Sequence, residues 1–308
     1  MDLLSLVLTL QPALPASLPP RLGRAAYAIL LDRIARRDPA LAASLHEGDG
    51  PKPVTCSDLM GTRDEDQIAP DIAYTLRYTA LTAPVAAALA AAFAPGDTLT
   101  FEGVDLRIET IAPNHCELQT QPSQSTICNP QSVNSPLPPS PWPGADDYDA
   151  LAARHLRPSG PAPTSAWTLL FASPTAFRSQ GLTQALPLPS LVFGSLVARW
   201  NAFAPVALPE EEVRRFAQEC VAISRFALRS APGWERGQGG TRGMRIGAIG
   251  KVTYSALNRD RYWLAVFGLL AGFACYAGLG MLTTMGMGQV RAVKSELQRP
   301  RRAQSPEA

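Results

Sequence analysis

The run Tyr276-Ala-Gly-Leu-Gly-Met-Leu-Thr-Thr-Met-Gly-Met-Gly-Gln-Val-Arg291 sets Gly278, Gly280, Gly286 and Gly288 within eleven residues. Glycines let a backbone come close to a ligand and turn its N–H groups outward, which suits phosphate oxygens. Thr283 and Thr284 between them add hydroxyl donors. No Gly-Lys-Ser/Thr ends the run, and the Gly-x-Gly-x-x-Gly dinucleotide context is missing. Composition leaves a second reading open, a turn that lets a helix pack tightly on a sheet. Upstream, Arg225, Arg229, Arg236, Arg242, Arg245 and Lys251 lie on and around a predicted hairpin. Trp234 and Gly237–Gly240 are interleaved with them, and Glu235 is the one acid in that stretch. Such cations give phosphate affinity and salt dependence more than sequence choice; a solubilising loop is the plain alternative.

Charge distribution supports the polyanion reading. The formal net charge is only +2, yet Arg225–Arg302 carries thirteen Lys/Arg against Glu235, Asp260 and Glu296, a net of +10, and the remainder is −8. That asymmetry concentrates a positive field on one part of the molecule. Cys56, Cys116, Cys128, Cys220 and Cys275 form no Cys-x-x-Cys pair, which argues against a disulfide framework or zinc site and for a reducing cytoplasm. The three histidines, 46, 115 and 155, have no His-Glu-x-x-His or acidic metal cluster beside them, so no bound metal or other cofactor is expected; His115 and His155 read as surface residues. Leu3–Leu10 has the apolarity of a signal peptide but follows Asp2 and is brief, so it reads as a first strand. Tyr262–Val290 carries no charge and is long enough to span a bilayer. Its six glycines favour instead a helix ending near Ala277, then a loop and a strand, because each interior Gly costs a helix about 1 kcal/mol relative to Ala in water.

The elements that must position these residues come in a repeated order. Leu3–Gln11 predicts a strand, and Pro19–Arg37 a helix with Leu22, Ala26, Leu30 and Ile34 at i, i+4 spacing. Pro53–Met60 and Ile72–Leu81 predict strands, Ala83–Phe93 a helix stopped by Pro95-Gly96, and Thr98–Phe101 with Val104–Ile111 a closing hairpin. Gln119–Gly144, rich in Pro, Ser, Gln and Asn, reads as a linker or loop, followed by a short helix over Asp146–His155. Ala166–Phe171, Leu191–Phe203, Cys220–Ser230, Met244–Ala256, Tyr262–Ala277 and Met287–Val293 then repeat strand, helix, two strands, helix, strand. Each half has the β-α-β-β-α-β order of a ferredoxin-like domain, so the chain is expected to be α+β with two tandem ferredoxin-like (RRM-like) domains. The expected division is 1–118 and 165–295, with 119–164 between them and a basic tail over 296–308. Many unrelated proteins share this fold, so it does not assign a function.

Tyr276–Arg291 resembles the C-terminal glycine-rich signature of the CRISPR repeat-processing endoribonucleases of the RAMP superfamily. Further stretches match in order: Leu45-His46-Glu47 followed by Lys52-Pro-Val-Thr-Cys-Ser-Asp58, Ser173-Pro-Thr-Ala-Phe177, Leu191-Val-Phe-Gly-Ser-Leu196 running into Arg199-Trp-Asn201, and Gly250-Lys-Val-Thr-Tyr254. The resemblance implies two ferredoxin-like domains that bind precursor CRISPR RNA at the repeat. It implies metal-independent cleavage, in which a ribose 2′-OH attacks the adjacent phosphate to leave a 2′,3′-cyclic phosphate and a 5′-hydroxyl. Taken alone, His46 reads better as a solvated histidine at a helix end; with the surrounding match it becomes the expected acid or base, a role worth about 10²–10⁴-fold. Lys52, six residues on, is the expected electrostatic support. Some members use a tyrosine of the first helix. Tyr27 is the nearest one here, about a turn before the matching place, which Leu31 holds. The remaining partners implied are CRISPR effector subunits, with the protein a monomer or homodimer. Two rival readings stand beside this one: a non-catalytic RNA-binding subunit of the same superfamily, and a protein anchored in a membrane through Tyr262–Val290.

Overall fold

A computed structural model describes residues 1–48, 50–63, 66–113, 142, 144–157, 162–233 and 245–293. Its first sheet is built on β1 (Leu3–Pro12). Alternation along this strand sends Leu4, Leu6, Leu8 and Leu10 into one core and leaves Leu3 to a second. The short β2 (Ala16–Ser17) precedes α1 (Gly23–Ala35), which buries Ala26, Leu30 and Ile34 as its i, i+4 spacing predicts. Then comes α2 (Pro39–His46), a helix that periodicity did not reveal. Its start is chemical: Asp38 accepts the Leu41 N–H at 2.9 Å and Pro39 occupies the first turn. β3 (Val54–Cys56), β4 (Gln67–Ile68), β5 (Tyr74–Ala80), α3 (Ala83–Ala92), β6 (Thr98–Phe101) and β7 (Val104–Ala112) complete the domain. The sheet order β3-β5-β1-β7-β6 is that of a ferredoxin-like fold with an added hairpin strand. β8 (Gly144–Asp146), placed by the sequence at the edge of the linker, adds to β1 through Leu3↔Asp146.

The second domain follows α4 (Tyr148–Leu156). It comprises β9 (Ala166–Thr175), the small hairpin β10 (Phe177–Ser179) and β11 (Leu182–Gln184), α5 (Pro189–Phe203), α6 (Glu210–Cys220), β12 (Val221–Pro232), β13 (Ile246–Ala256), α7 (Arg261–Ala277) and β14 (Val290–Val293). The order β12-β13-β9-β14 repeats the first topology, so the expected pair of ferredoxin-like domains is present. The β10–β11 hairpin and α6 were not predicted. The expected strand Pro53–Met60 contracts to β3 plus isolated bridges at Ser57 and Met60. The expected last strand begins only at Val290, because the residues before it belong to the glycine loop. Gln119–Pro141 and the tail 296–308 lie outside the described residues.

Helix α7 is almost wholly buried and ends at Gly278, whose φ of 65° breaks it. Tyr262–Val290 is therefore a helix, a loop and a strand, and among the described residues no helix is long and apolar enough to cross a membrane. His155 is not the surface residue expected. It is half-buried on α4 with its ring against α7, where a Cβ at Gly268 would come within 3.0 Å of Nδ1 and one at Gly272 within 3.2 Å of Nε2. Burial first, and then the neighbouring Arg154, lower its pKa. His115 lies outside the described residues.

Candidate functional site

The glycine loop lies where the two domains meet, and its backbone is the meeting surface. Cys56 N–H donates to the Thr283 carbonyl at 2.9 Å, Gly286 N–H to the Cys56 carbonyl at 3.2 Å, and Ser57 bridges Gly286 in parallel fashion. Two glycines show why side chains are absent. A Cβ at Gly280 would stand 2.1 Å from the Ala176 carbonyl oxygen, and one at Gly286 would stand 2.6 Å from Cγ of Asp58, each at a positive φ. From Gly278 to Met281 and from Met285 to Gln289, every backbone N–H donates to an acceptor within the protein. This corrects the expectation of outward-facing N–H groups, and Gly278, Gly280, Gly286 and Gly288 serve close approach instead. Thr283 is buried and accepts from Arg199 at 2.8 Å, while Thr284 is half-buried.

An α-helix leaves its last four carbonyls without intrahelical donors. In α7 all four are met, two of them from the other domain. Ala274 accepts from Gly278 N–H at 3.0 Å, Cys275 from Arg77 Nη2, Tyr276 from the Thr79 hydroxyl at 2.7 Å, and Ala277 from Arg199 Nη1 at 2.9 Å. Arg77 is 1% exposed; its Nε donates to Ser5 at 2.8 Å and its Nη1 to Gln289 at 2.5 Å, and it lies 4.7 Å from the Trp142 ring centre. Burial pulls both guanidiniums down, Arg77 and Arg199 each to about 10. No carboxylate bonds either among the described residues, so the negative end of the helix dipole and the carbonyl oxygens hold them. Sequence reasoning missed Arg77 entirely. It is a polar residue in an alternating strand, on a face that water would cover if a second domain did not.

His46, Lys52 and Tyr27 are brought together at one corner of the first domain. His46 is the last residue of α2 and is exposed. Lys52 Nζ donates to the His46 carbonyl at 3.3 Å and to the Glu47 carbonyl, so the intervening turn closes on itself. Tyr27 on α1 donates its hydroxyl to the Leu45 carbonyl at 2.8 Å, tying the end of α2 to α1. Burial, and then Cys56, raise the Tyr27 pKa, so the phenol stays protonated. Among the described residues no three His, Cys, Asp or Glu side chains come together as metal ligands.

On the second domain Arg225, Arg229, Arg245 and Lys251 are exposed along the long β12–β13 pair, as the charge pattern predicts. Arg245 donates to Thr183 at 3.2 Å, which rests the root of the pair on β11. Arg236 and Arg242 fall outside the described residues. Phe226 on the same edge strand is 70% exposed, a large apolar ring among cations that the sequence reading passed over. The signal was present, since the Ser-Arg-Phe-Ala order repeats no buried alternation.

Residues 169–290 match the family model described as CRISPR-associated endoribonuclease Cas6. The curated CRISPR-associated endoribonuclease Cas6 of Mycobacterium tuberculosis is 31% identical over 124 residues, covering 39% of this chain and 37% of that protein. That match thus spans little more than a third of the relative's length. Solved structures extend the likeness to the whole chain. A Cas6 product complex superposes with a TM-score of 0.72 at 23% identity, covering 95% of this chain and 99% of the other. A second Cas6 product complex gives 0.68 at 25% identity, covering 96% and 100%. The second domain is thus similar in sequence to the Cas6 endoribonucleases, and both domains share the fold of the solved Cas6 structures.

Proposed function

We propose that the chain is an endoribonuclease that cuts precursor CRISPR RNA within the repeat to release guide RNAs in the cytoplasm. The observation that carries the reading is the corner at which His46, Lys52 and Tyr27 converge through Leu45 and the 46–52 turn. In the proposed reaction the ribose 2′-OH attacks the adjacent phosphorus while the P–O5′ bond breaks, leaving a 2′,3′-cyclic phosphate and a 5′-hydroxyl. The exposed His46 imidazole takes the 2′-OH proton or delivers one to the leaving 5′-oxygen. The Lys52 ammonium lies within reach of the same turn and offsets charge on the phosphorane. No step of this sequence requires a metal. The exposed cations of β12 and β13 hold the RNA backbone, so that in-line geometry is set by binding. The glycine loop serves by fixing the domain junction, with Thr284 its half-buried hydroxyl.

The test is cleavage of the cognate repeat RNA in EDTA by wild type and by His46→Ala. Wild type should yield a 2′,3′-cyclic phosphate end, and the variant should lose at least about a hundredfold in rate with affinity kept. Undiminished cleavage by the variant removes His46 from the chemistry. Tight binding with no cleavage by wild type would make the chain a guide-RNA-binding subunit instead.

A further inference from the structure

Where α1 begins, a cluster of charge serves neither chemistry nor the core. Asp58, just past β3, accepts the N–H groups of Leu22 at 2.9 Å and Gly23 at 2.6 Å, and also takes Arg21 Nη1 at 3.2 Å. Its carboxylate fills the space that a side chain at Gly286 would need. Burial pushes its pKa up, and Arg21 with the two helix N–H groups holds it back. The other Nη of Arg21 crosses to the second domain and donates to the carbonyl of Pro232, the last residue of β12. Beside it Gly233 N–H donates to the Arg245 carbonyl at 2.5 Å, closing the root of the basic strand pair, and Met287 packs where a Gly233 side chain would stand. About one turn along α1, Tyr27 holds the Leu45 carbonyl next to His46.

We infer that Arg21 and Asp58 are positioning residues, a clamp that fixes the root of the RNA-holding strands at a set distance from His46. The inference rests on the proposed nuclease reading for its purpose but on the contacts above for its geometry. The path is short: Arg21 lies two residues before α1, and Gly23 to Tyr27 spans about 6 Å of helix. It matters because RNA held by one domain must present a phosphate to a side chain on the other. A misplacement of about 1 Å at such a site costs about 10²-fold in rate.

The experiment uses the full chain with Arg21→Gln and Arg21→Lys. It measures RNA affinity, the single-turnover cleavage rate at saturating protein, and the distance distribution between spin labels on unnatural residues at exposed positions 44 and 230. Arg21→Gln should broaden the distance distribution and slow cleavage at least tenfold while affinity changes less than threefold. Arg21→Lys, which keeps one cation but cannot reach both partners, should fall between Gln and wild type. An unchanged distance distribution overturns the clamp. A loss of affinity that accounts for the whole loss of rate also overturns it, because Arg21 would then be an ordinary phosphate ligand. If wild type fails to cleave at all, the nuclease reading falls, and the distance distribution still decides the clamp.

Discussion

Tyr27 shows how a single contact separates two kinds of role. Its hydroxyl is engaged with the Leu45 carbonyl and its pKa is raised by burial, so it is placed to hold His46 and not to exchange protons near neutral pH. Losing one such bond is worth about 1 kcal/mol, or roughly fivefold. Tyr27→Phe should therefore slow single-turnover cleavage about fivefold with RNA affinity unchanged; a loss as deep as that of His46→Ala would put the hydroxyl at the reacting phosphate. His46 and Lys52, six residues apart, could be proposed from the sequence because the residues around them carry the resemblance. Asp58 was legible only as a letter in the same stretch. Its partners come from two other places in the chain, Arg21–Gly23 and Gly286, and no local pattern joins them.

At the scale of elements, regular periodicity read well and short or capped pieces did not. β1, α1, α3, α5 and α7 carry enough apolar repeats to declare themselves. α2 rests on an Asp38 cap and a proline, and α6 opens on Glu210, Glu211 and Glu212, whose charge favours a helix N-terminus that apolar spacing does not show. The α4–α7 contact was hidden for another reason: Gly268 and Gly272 counted in the sequence only against a membrane span, whereas they form the seat of the His155 ring. That seat has a pH signature. The folded pKa of His155 lies below its ordinary value, so the unfolded chain binds the proton more readily. The stabilising contribution is present above about pH 6.5 and is lost as pH falls through the lowered folded value. His155→Gln should flatten the decline in melting temperature between pH 7.5 and 5; an identical decline in both proteins would show that His155 does not drive it.

For the whole molecule, the two ferredoxin-like halves were visible as a repeated element order, but their junction was not, because it is made from groups that look solvent-facing in either half alone. Thr79 and Arg77 alternate outward from β5 and become buried only against the end of α7. Replacing Arg77 with Met would leave Ser5, Gln289 and the Cys275 carbonyl short of partners, a loss of about 3 kcal/mol or more. Because that loss falls at the junction, Arg77→Met should split a single calorimetric transition into two, one for each domain; a lower but still single transition would show that other contacts carry the coupling. The same junction imposes an order in time. Strand β5 is made long before Cys275 and Gln289, some two hundred residues of synthesis separating a buried cation from the acceptors that make its burial tolerable. A first domain folding as it leaves the ribosome must keep that face wet until the glycine loop arrives. Until then the chain has no rigid relation between its two halves, and on the proposed reading a nascent chain already bearing His46 would not yet act on RNA.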